Sequence, residues 1–147
     1  MRSAIAALAL AAVACTNDPS PPPDPVAAPD PCSLVSEEEV ETAYGADLAA
    51  GSTETIEGIG ELCAYEGDGG RATIVIRSNP RTVESLRAED APGEVIEGIG
   101  DAAFSYELTG DIAVIVDGVE FTVGVFPGMR PSREKTEQLA ALVATRI

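Results

Sequence analysis

The sequence predicts an α+β domain in which two related helix-plus-strands units share one antiparallel sheet, with a C-terminal helix packed on it. Three observations predict this class. A capped helix opens the region after residue 31, strand-like runs separated by glycine-containing turns follow, and one stretch of the chain recurs forty residues later. Because tight turns join the runs, we expect sequence neighbours to pair in antiparallel fashion.

The first helix is predicted over residues 37–44. Ser36 and Glu39 have the spacing of a capping box, in which the hydroxyl of the first accepts from the backbone of the second and the carboxylate reaches back. Val35 and Val40 occupy the two positions of a hydrophobic staple. Both features predict where the helix begins.

Strand signals fill the middle of the chain. Asp117-Gly118 between two β-rich runs is the strongest hairpin signal, because both residues tolerate the left-handed conformation of a type I′ turn. On the last run, Phe121, Val123 and Val125 stand at every second position, so their side chains are expected to share one face of the strand. The predicted strands cover residues 62–66, 71–77, 103–108, 112–117 and 119–126.

Two further helices are expected. Asn79 is placed as the cap of the second, and Pro80 occupies its first position, where a missing N–H is tolerated. The last helix is predicted to begin at Pro131-Ser132. Its apolar stripe consists of Leu139, Leu142 and Val143.

An internal repeat links the two units. The five residues from Ile56 to Gly60 recur as Ile96 to Gly100, and both copies precede a hairpin. The Gly-x-Gly pairs are interpreted as tight bends, since no helix follows them as a nucleotide site requires. Asp101, directly after the second copy, is the acid that we expect to be most buried, where it accepts backbone N–H groups that hold the turn.

The N-terminus predicts export and lipid attachment. Arg2 precedes an apolar run from Ala4 to Ala14, which has the order of a signal peptide and is too short to span a bilayer. Ala12-Val13-Ala14-Cys15 resembles a bacterial lipobox. Removal of residues 1–14 would leave Cys15 to carry the lipid, with palmitate-type chains in the membrane. The same Ala-x-Ala pattern fits ordinary signal peptidase, which would give a secreted protein.

The cysteine count favours lipidation. The chain has three cysteines, and an oxidising compartment would leave one unpaired after cleavage without a lipid. Lipid on Cys15 leaves Cys32 and Cys63 as an even pair, which we expect to form a disulfide. Between the lipid and the domain at 32–147, residues 15–31 hold seven of the eleven prolines and are predicted to be a disordered spacer.

Composition excludes several chemistries. The net charge of −16 argues against nucleic-acid binding, and the absence of His removes the Ser-His-Asp triad and imidazole metal ligands. No catalytic, cofactor-binding or metal-ligating residue is assigned, and no cofactor is expected. Acid–base chemistry would fall on paired carboxylates, either Glu66 with Asp68 or Glu57 with Glu97. A Ca²⁺ site at residues 66–69 is a further alternative, although the loop lacks EF-hand spacing.

Four motifs together resemble a known family. The chain is similar to the actinobacterial cell-envelope lipoproteins built around a domain of unknown function, over nearly its whole length, with Ile99 where Leu is usual. The resemblance implies an envelope location and a disulfide, and it brings no catalytic residues. The motifs are Asp30-Pro31-Cys32-Ser33-Leu34, Glu37 to Val40, Cys63-Ala64-Tyr65 and Gly98 to Ala103.

These observations lead to one expected function and two alternatives. We expect a lipoprotein anchored on the extracytoplasmic face of the membrane, which acts as a non-catalytic binding or accessory module of the envelope. Its partner would be an unidentified envelope protein or a small ligand, and not a nucleic acid. The alternatives are a carrier of a small apolar ligand, held between sheet and helices, and a carboxylate-based hydrolase.

Overall fold

A computed structural model describes residues 28–44, 47–68, 70–126 and 133–147 of the chain. Within these ranges seven strands form one antiparallel sheet, so the predicted α+β class is confirmed. The strands are β1 (Ser52–Ile56), β2 (Gly60–Gly67), β3 (Gly70–Arg77), β4 (Gly93–Ile96), β5 (Ala102–Tyr106), β6 (Ile112–Val116) and β7 (Val119–Phe126). The helices are α1 (Glu37–Tyr44), α2 (Val83–Arg87) and α3 (Arg133–Ala144), and a 3₁₀ turn covers Pro31–Ser33.

The strand order is β1-β2-β3-β7-β6-β5-β4, which places β7 in the centre. Two three-stranded meanders, β1 to β3 and β4 to β6, flank it, and a helix precedes each meander as the repeat predicted. On β7, Val123 is opposite Ile74 of β3, and Phe121 is opposite Val114 of β6. The central strand therefore joins the two units.

The first face of the sheet carries the larger core. Val40 of α1 and Val143 of α3 are fully buried there together with Ile74, Val114 and Phe121 of the central strands. Because strand side chains alternate between faces, each central strand contributes every second residue to this core, as Phe121 and Val123 of β7 do. The last helix is thus packed on the sheet, as predicted, and Leu139 and Val143 of its expected stripe are buried, whereas Leu142 is half-buried.

The second face carries a smaller apolar cluster. Leu86 of α2 is fully buried against Ala102 and Phe104 of β5 and against Ala113 and Ile115 of β6. Thus α1 and α2, the helices of the two units, cover opposite faces of the sheet.

The capping box of α1 forms as predicted. The backbone N–H of Ser36 donates to the Glu39 carboxylate at 2.8 Å, and the backbone N–H of Glu39 donates to the Ser36 hydroxyl at 3.3 Å. Arg146, beyond the end of α3, donates to both carboxylate oxygens of Glu39 at 2.6 and 2.8 Å and to the Leu34 carbonyl at 2.6 Å. A single carboxylate therefore caps α1 and ties it to the C-terminus.

The two copies of the repeat bend differently. Ile56 pairs with Gly60 across a three-residue turn, whereas Ile96 pairs with Ala103 across a wider loop. Gly60 has φ +145°, and a Cβ there would lie 1.9 Å from the Ile76 carbonyl oxygen, so only glycine fits. The interpretation of the glycine pairs as bends is confirmed. The type I′ hairpin is also present, with φ of 48° at Asp117 and 79° at Gly118.

Several expectations about elements were wrong. Thr82, not Asn79, caps α2: its hydroxyl accepts from the Ser85 N–H at 3.1 Å, and the helix begins at Val83. No strand signal was found for β1 or β4, because both are largely exposed edge strands: β1 is mostly polar, and β4 is only four residues long. The predicted helix start at Pro131-Ser132 and the Val125 side chain lie outside what the structure describes.

The Cys32–Cys63 disulfide is present, with the two Cα atoms 5.0 Å apart. It joins the 3₁₀ turn to β2, where Cys63 is fully buried. Asp30 and Pro31, which were predicted to lie in the spacer, belong to the folded part: Asp30 caps the turn by accepting from the Cys32 N–H at 3.0 Å. The predicted signal peptide, Cys15 and most of the predicted spacer lie outside the described residues.

The Glu39–Arg146 contact predicts a specific acid response. Hydrogen bonds from Arg146 and from the Ser36 backbone lower the pKa of Glu39 from 4.5 to about 2. The folded pKa lies below the unfolded one. The contact therefore stabilises the fold above about pH 4.5, and this stabilisation is lost as the pH falls towards 2. We predict that the melting temperature of Glu39→Gln falls less steeply across this window than that of the wild type.

Thermal unfolding followed by circular dichroism at several pH values measures both slopes. Glu38→Gln removes an exposed carboxylate from the same turn and serves as the matched control. It should keep the wild-type slope. Parallel curves for Glu39→Gln and the wild type would contradict the assigned role of Glu39.

Candidate functional site: a buried carboxylate and its arginine

The most unusual polar group in the described residues is the carboxylate of Glu120. It lies on β7 next to Phe121, and because that aromatic ring points to the first face, Glu120 points to the second. Its opposite neighbour on β6 is Ile115. Glu120 is 0% exposed to solvent, a position in which a charge must be paired.

Arg81 provides that pairing with both its backbone and its side chain. The backbone N–H donates to Oε2 of Glu120 at 2.7 Å. The guanidinium donates to Oε1 through Nε at 2.9 Å and through Nη2 at 2.6 Å. The remaining arginine in reach is Arg77, at the end of β3, whose Nε lies 3.6 Å from Oε1, beyond hydrogen-bond distance.

The other end of the guanidinium is held by two more groups. Nη1 of Arg81 donates to Glu89 at 2.5 Å and to the Tyr106 hydroxyl at 2.8 Å, and that hydroxyl donates to Glu89 at 3.1 Å. The Tyr106 ring packs edge-on against Phe104 with 5.0 Å between the ring centroids. Glu120, Glu89 and Tyr106 therefore form a cradle around one guanidinium, and we call them the cradle below.

The electrostatics of the cradle favour a fixed cation. Burial disfavours the charged guanidinium, but hydrogen bonds to Glu120 and Tyr106 outweigh it and raise the pKa of Arg81. Burial also raises the pKa of the Tyr106 hydroxyl, against the effect of Arg81. Both Glu120 oxygens already accept from Arg81, so the arrangement recognises a guanidinium and offers no free base to a substrate.

The structure separates the carboxylate pairs that the sequence suggested. Glu57 lies in the turn after β1 and Glu97 in the loop after β4, which are the opposite edges of the sheet. Six strand spacings of about 4.8 Å put roughly 29 Å between these edges. Glu66 pairs with Arg71 at 3.6 Å, and both Glu66 and Asp68 are exposed to water. Neither pair is a desolvated acid–base couple.

The prediction for Asp101 is only partly confirmed. The expectation that Asp101 is the most buried acid was wrong, because Asp101 is exposed and Glu120 is the fully buried one. Its carboxylate does accept a backbone N–H, that of Asp117 at 3.0 Å, and so ties its own loop to the turn between β6 and β7. Among the residues that the structure describes, no group of three or more Cys, Asp or Glu could hold a metal ion.

Sequence reasoning missed Glu120 and Arg81. A glutamate that alternates with Phe121 and Val123 in a strand is typical of a solvent-facing position, and nothing near it in sequence indicates a partner. Arg81 and Glu120 are 39 positions apart in the sequence, and only the strand order brings them together.

Comparisons with known proteins do not assign this chain to a family. No family model, no curated protein and no solved structure matches this chain. No helix in the described part of the chain has the length and apolar character to cross a membrane.

The buried ion pair predicts a large effect of Glu120→Gln on stability. Removing the charge leaves the Arg81 guanidinium without its buried counter-ion, so the free energy of unfolding should fall by about 3–5 kcal/mol. Urea unfolding measures this change. Glu94→Gln, which breaks the exposed pair between Glu94 and Arg133, is the control and should cost about 0.2–1 kcal/mol. Equal, small losses in both variants would show that Glu120 contributes no more than a surface charge.

Proposed function

We propose that this chain is a membrane-anchored extracytoplasmic lipoprotein whose folded part acts as a non-catalytic binding or accessory module of the cell envelope. Cys15 would carry the lipid, and the proline-rich residues after it would form the spacer. The proposal also includes the likeness to actinobacterial envelope lipoproteins, which rests on the sequence motifs alone.

The observation that carries this proposal is the disulfide. Structural disulfides persist in oxidising compartments outside the cytoplasm. Cys32 lies at the point where the spacer would join the fold, and its partner Cys63 is fully buried in β2. Tension on the spacer would therefore pass directly into the sheet through a covalent bond. This arrangement suits a domain that is held at a surface by its N-terminus.

Binding rather than turnover is supported by how the charges are used. The buried carboxylate of Glu120 is held by Arg81, and the carboxylate pairs considered as a hydrolase site are apart or exposed. The chain has 25 acidic and 9 basic residues, which leaves a large excess of negative charge, and arginines in the described residues already engage carboxylates or carbonyl oxygens. Such a surface favours encounter with a cationic partner.

Carriage of a small apolar ligand is the second candidate function. The cluster beneath α2, with Leu86 at its centre, is separate from the main core and is covered by a helix of only five residues. Native mass spectrometry of protein extracted from its own membranes would reveal a co-purifying molecule if this candidate is correct.

The anchor predicts a change of cellular fraction. Cys15→Ala should move the protein from the membrane fraction to the soluble exported fraction, because the lipid is its only proposed hold on the membrane. Immunoblots of separated fractions measure this, and intact-mass analysis of the wild type should find the added lipid. The double variant Cys32→Ala/Cys63→Ala is the control, since it removes two cysteines and should stay with the membrane. A soluble wild type with a free thiol at Cys15 would contradict the proposal.

A further inference from the structure

We propose that the cradle of Glu120, Glu89 and Tyr106 is a binding site for a guanidinium group, which in this structure is occupied by the protein's own Arg81. This inference rests on the proposed binding function and names the chemistry of the group that is bound. An arginine side chain of a partner would enter the cradle when Arg81 swings out into water.

The cradle has the chemistry that a guanidinium requires. Two carboxylates and one hydroxyl surround the planar cation, and each nitrogen of Arg81 finds at least one acceptor within 3 Å. Nε and Nη2 both donate to one carboxylate oxygen, and Nη1 donates at the other side of the site to Glu89 and Tyr106. An ammonium group has no planar fork and satisfies fewer of these acceptors.

The site also opens to the surface. The side chain of Arg81 is 26% exposed and that of Glu89 is 25% exposed, whereas Glu120 at the base is 0% exposed. A guanidinium can therefore enter and leave from the solvent side. The buried base supplies the low-dielectric setting in which a charged hydrogen bond is strong.

Glu120 binds the main chain of Arg81 and the guanidinium of Arg81 through different oxygens. The backbone N–H of Arg81 donates to Oε2, and the guanidinium donates to Oε1. The segment that leads into α2 thus keeps its own bond to β7 when the side chain leaves. Leu86, fully buried in the second cluster, holds the same segment further on. Exchange of the side chain therefore does not require unfolding of α2.

Arg81 acts in this scheme as an internal competitor. A ligand binds only the fraction of molecules in which the cradle is free, so its apparent affinity is reduced by that fraction. Removing the side chain of residue 81 removes the hydrogen-bonded competitor and leaves only Arg77, whose Nε lies 3.6 Å from Oε1. The excess negative charge of the chain, −16 overall, raises the local concentration of cationic ligands at its surface.

The test compares the wild type with Arg81→Ala by isothermal titration calorimetry. The probes are methylguanidinium and N-acetyl-arginine methylamide, with the uncharged citrulline analogue as the control probe. We expect both guanidines to bind Arg81→Ala at least about tenfold more tightly than the wild type, and the citrulline analogue to bind neither. If methylguanidinium and N-acetyl-arginine methylamide bind Arg81→Ala equally tightly, the site recognises the guanidinium group alone. If N-acetyl-arginine methylamide binds more tightly, the site recognises an arginine within a peptide segment.

Two further variants make the result specific. Arg81→Ala/Glu120→Gln should lose the gained binding, because the base of the cradle is gone. Arg133→Ala takes the partner from two surface carboxylates, the exposed Glu94 and the half-buried Glu137, and should gain no binding. Binding by Arg133→Ala as tight as by Arg81→Ala, or no gain in Arg81→Ala, would overturn the proposal. Membrane fractionation is independent of this titration, so failure of the anchor and failure of the cradle are told apart.

Loss of the Arg81 side chain also lowers stability, which supplies a second readout. If Arg81→Ala is unfolded without ligand, millimolar methylguanidinium should restore its circular dichroism spectrum by mass action, and tetramethylammonium at equal ionic strength should not. Recovery with both salts, or with neither, would overturn the assignment.

Discussion

The carboxylate of Glu120 is the constraint on which the second face of the sheet depends. It lies on the central strand without access to water, and a buried charge of this kind requires a partner with several donors. Arg81 meets that requirement with its main chain as well as its side chain. The residues before α2 are therefore held at the start of β7, and Thr82, in extended conformation, caps the helix that starts at Val83. Leu86 then reaches the second apolar cluster, and the chain continues into β4.

The first face is organised by different means. There the buried side chains of α1, α3 and the central strands form the main core, and covalent and charged contacts close its ends. The disulfide fixes the 3₁₀ turn to β2, and Arg146 joins the C-terminus to Glu39 at the start of α1. Both chain ends of the folded region are thus secured on this face. The second face holds a guanidinium that reaches from a fully buried carboxylate to the surface, which is why we place the binding chemistry there.

The sequence predicted the elements whose signals are local. The capping box at Ser36 and the Asp117-Gly118 turn depend on residues within a few positions of each other, and both are confirmed. Strand β7 has a clear alternation and was predicted with its observed bounds. The edge strands β1 and β4 gave no signal, because a strand with little buried surface needs no apolar alternation.

The cradle could not be predicted from the sequence for a related reason. Pairing of Arg81 with Glu120 overrides the helix start that Asn79 and Pro80 predict, and it arises only when β3, β7 and β5 are assembled. The alternation on β7 correctly predicts that Glu120 and Phe121 point to opposite faces of the sheet. It does not show whether the face of Glu120 is covered by another segment or open to water. The disulfide, in contrast, followed from the count of three cysteines together with the assignment of Cys15 to the lipid.

The central claim is that Arg81 and Glu120 recognise each other specifically, beyond the attraction of two surface charges. A double-mutant cycle with Arg81→Ala, Glu120→Ala and the double variant, followed by urea unfolding, measures their coupling free energy directly. Close, desolvated charge pairs give at least about 1.5 kcal/mol, and we predict a coupling of that size or larger. A coupling below about 0.5 kcal/mol, in the range of exposed pairs, would contradict the account.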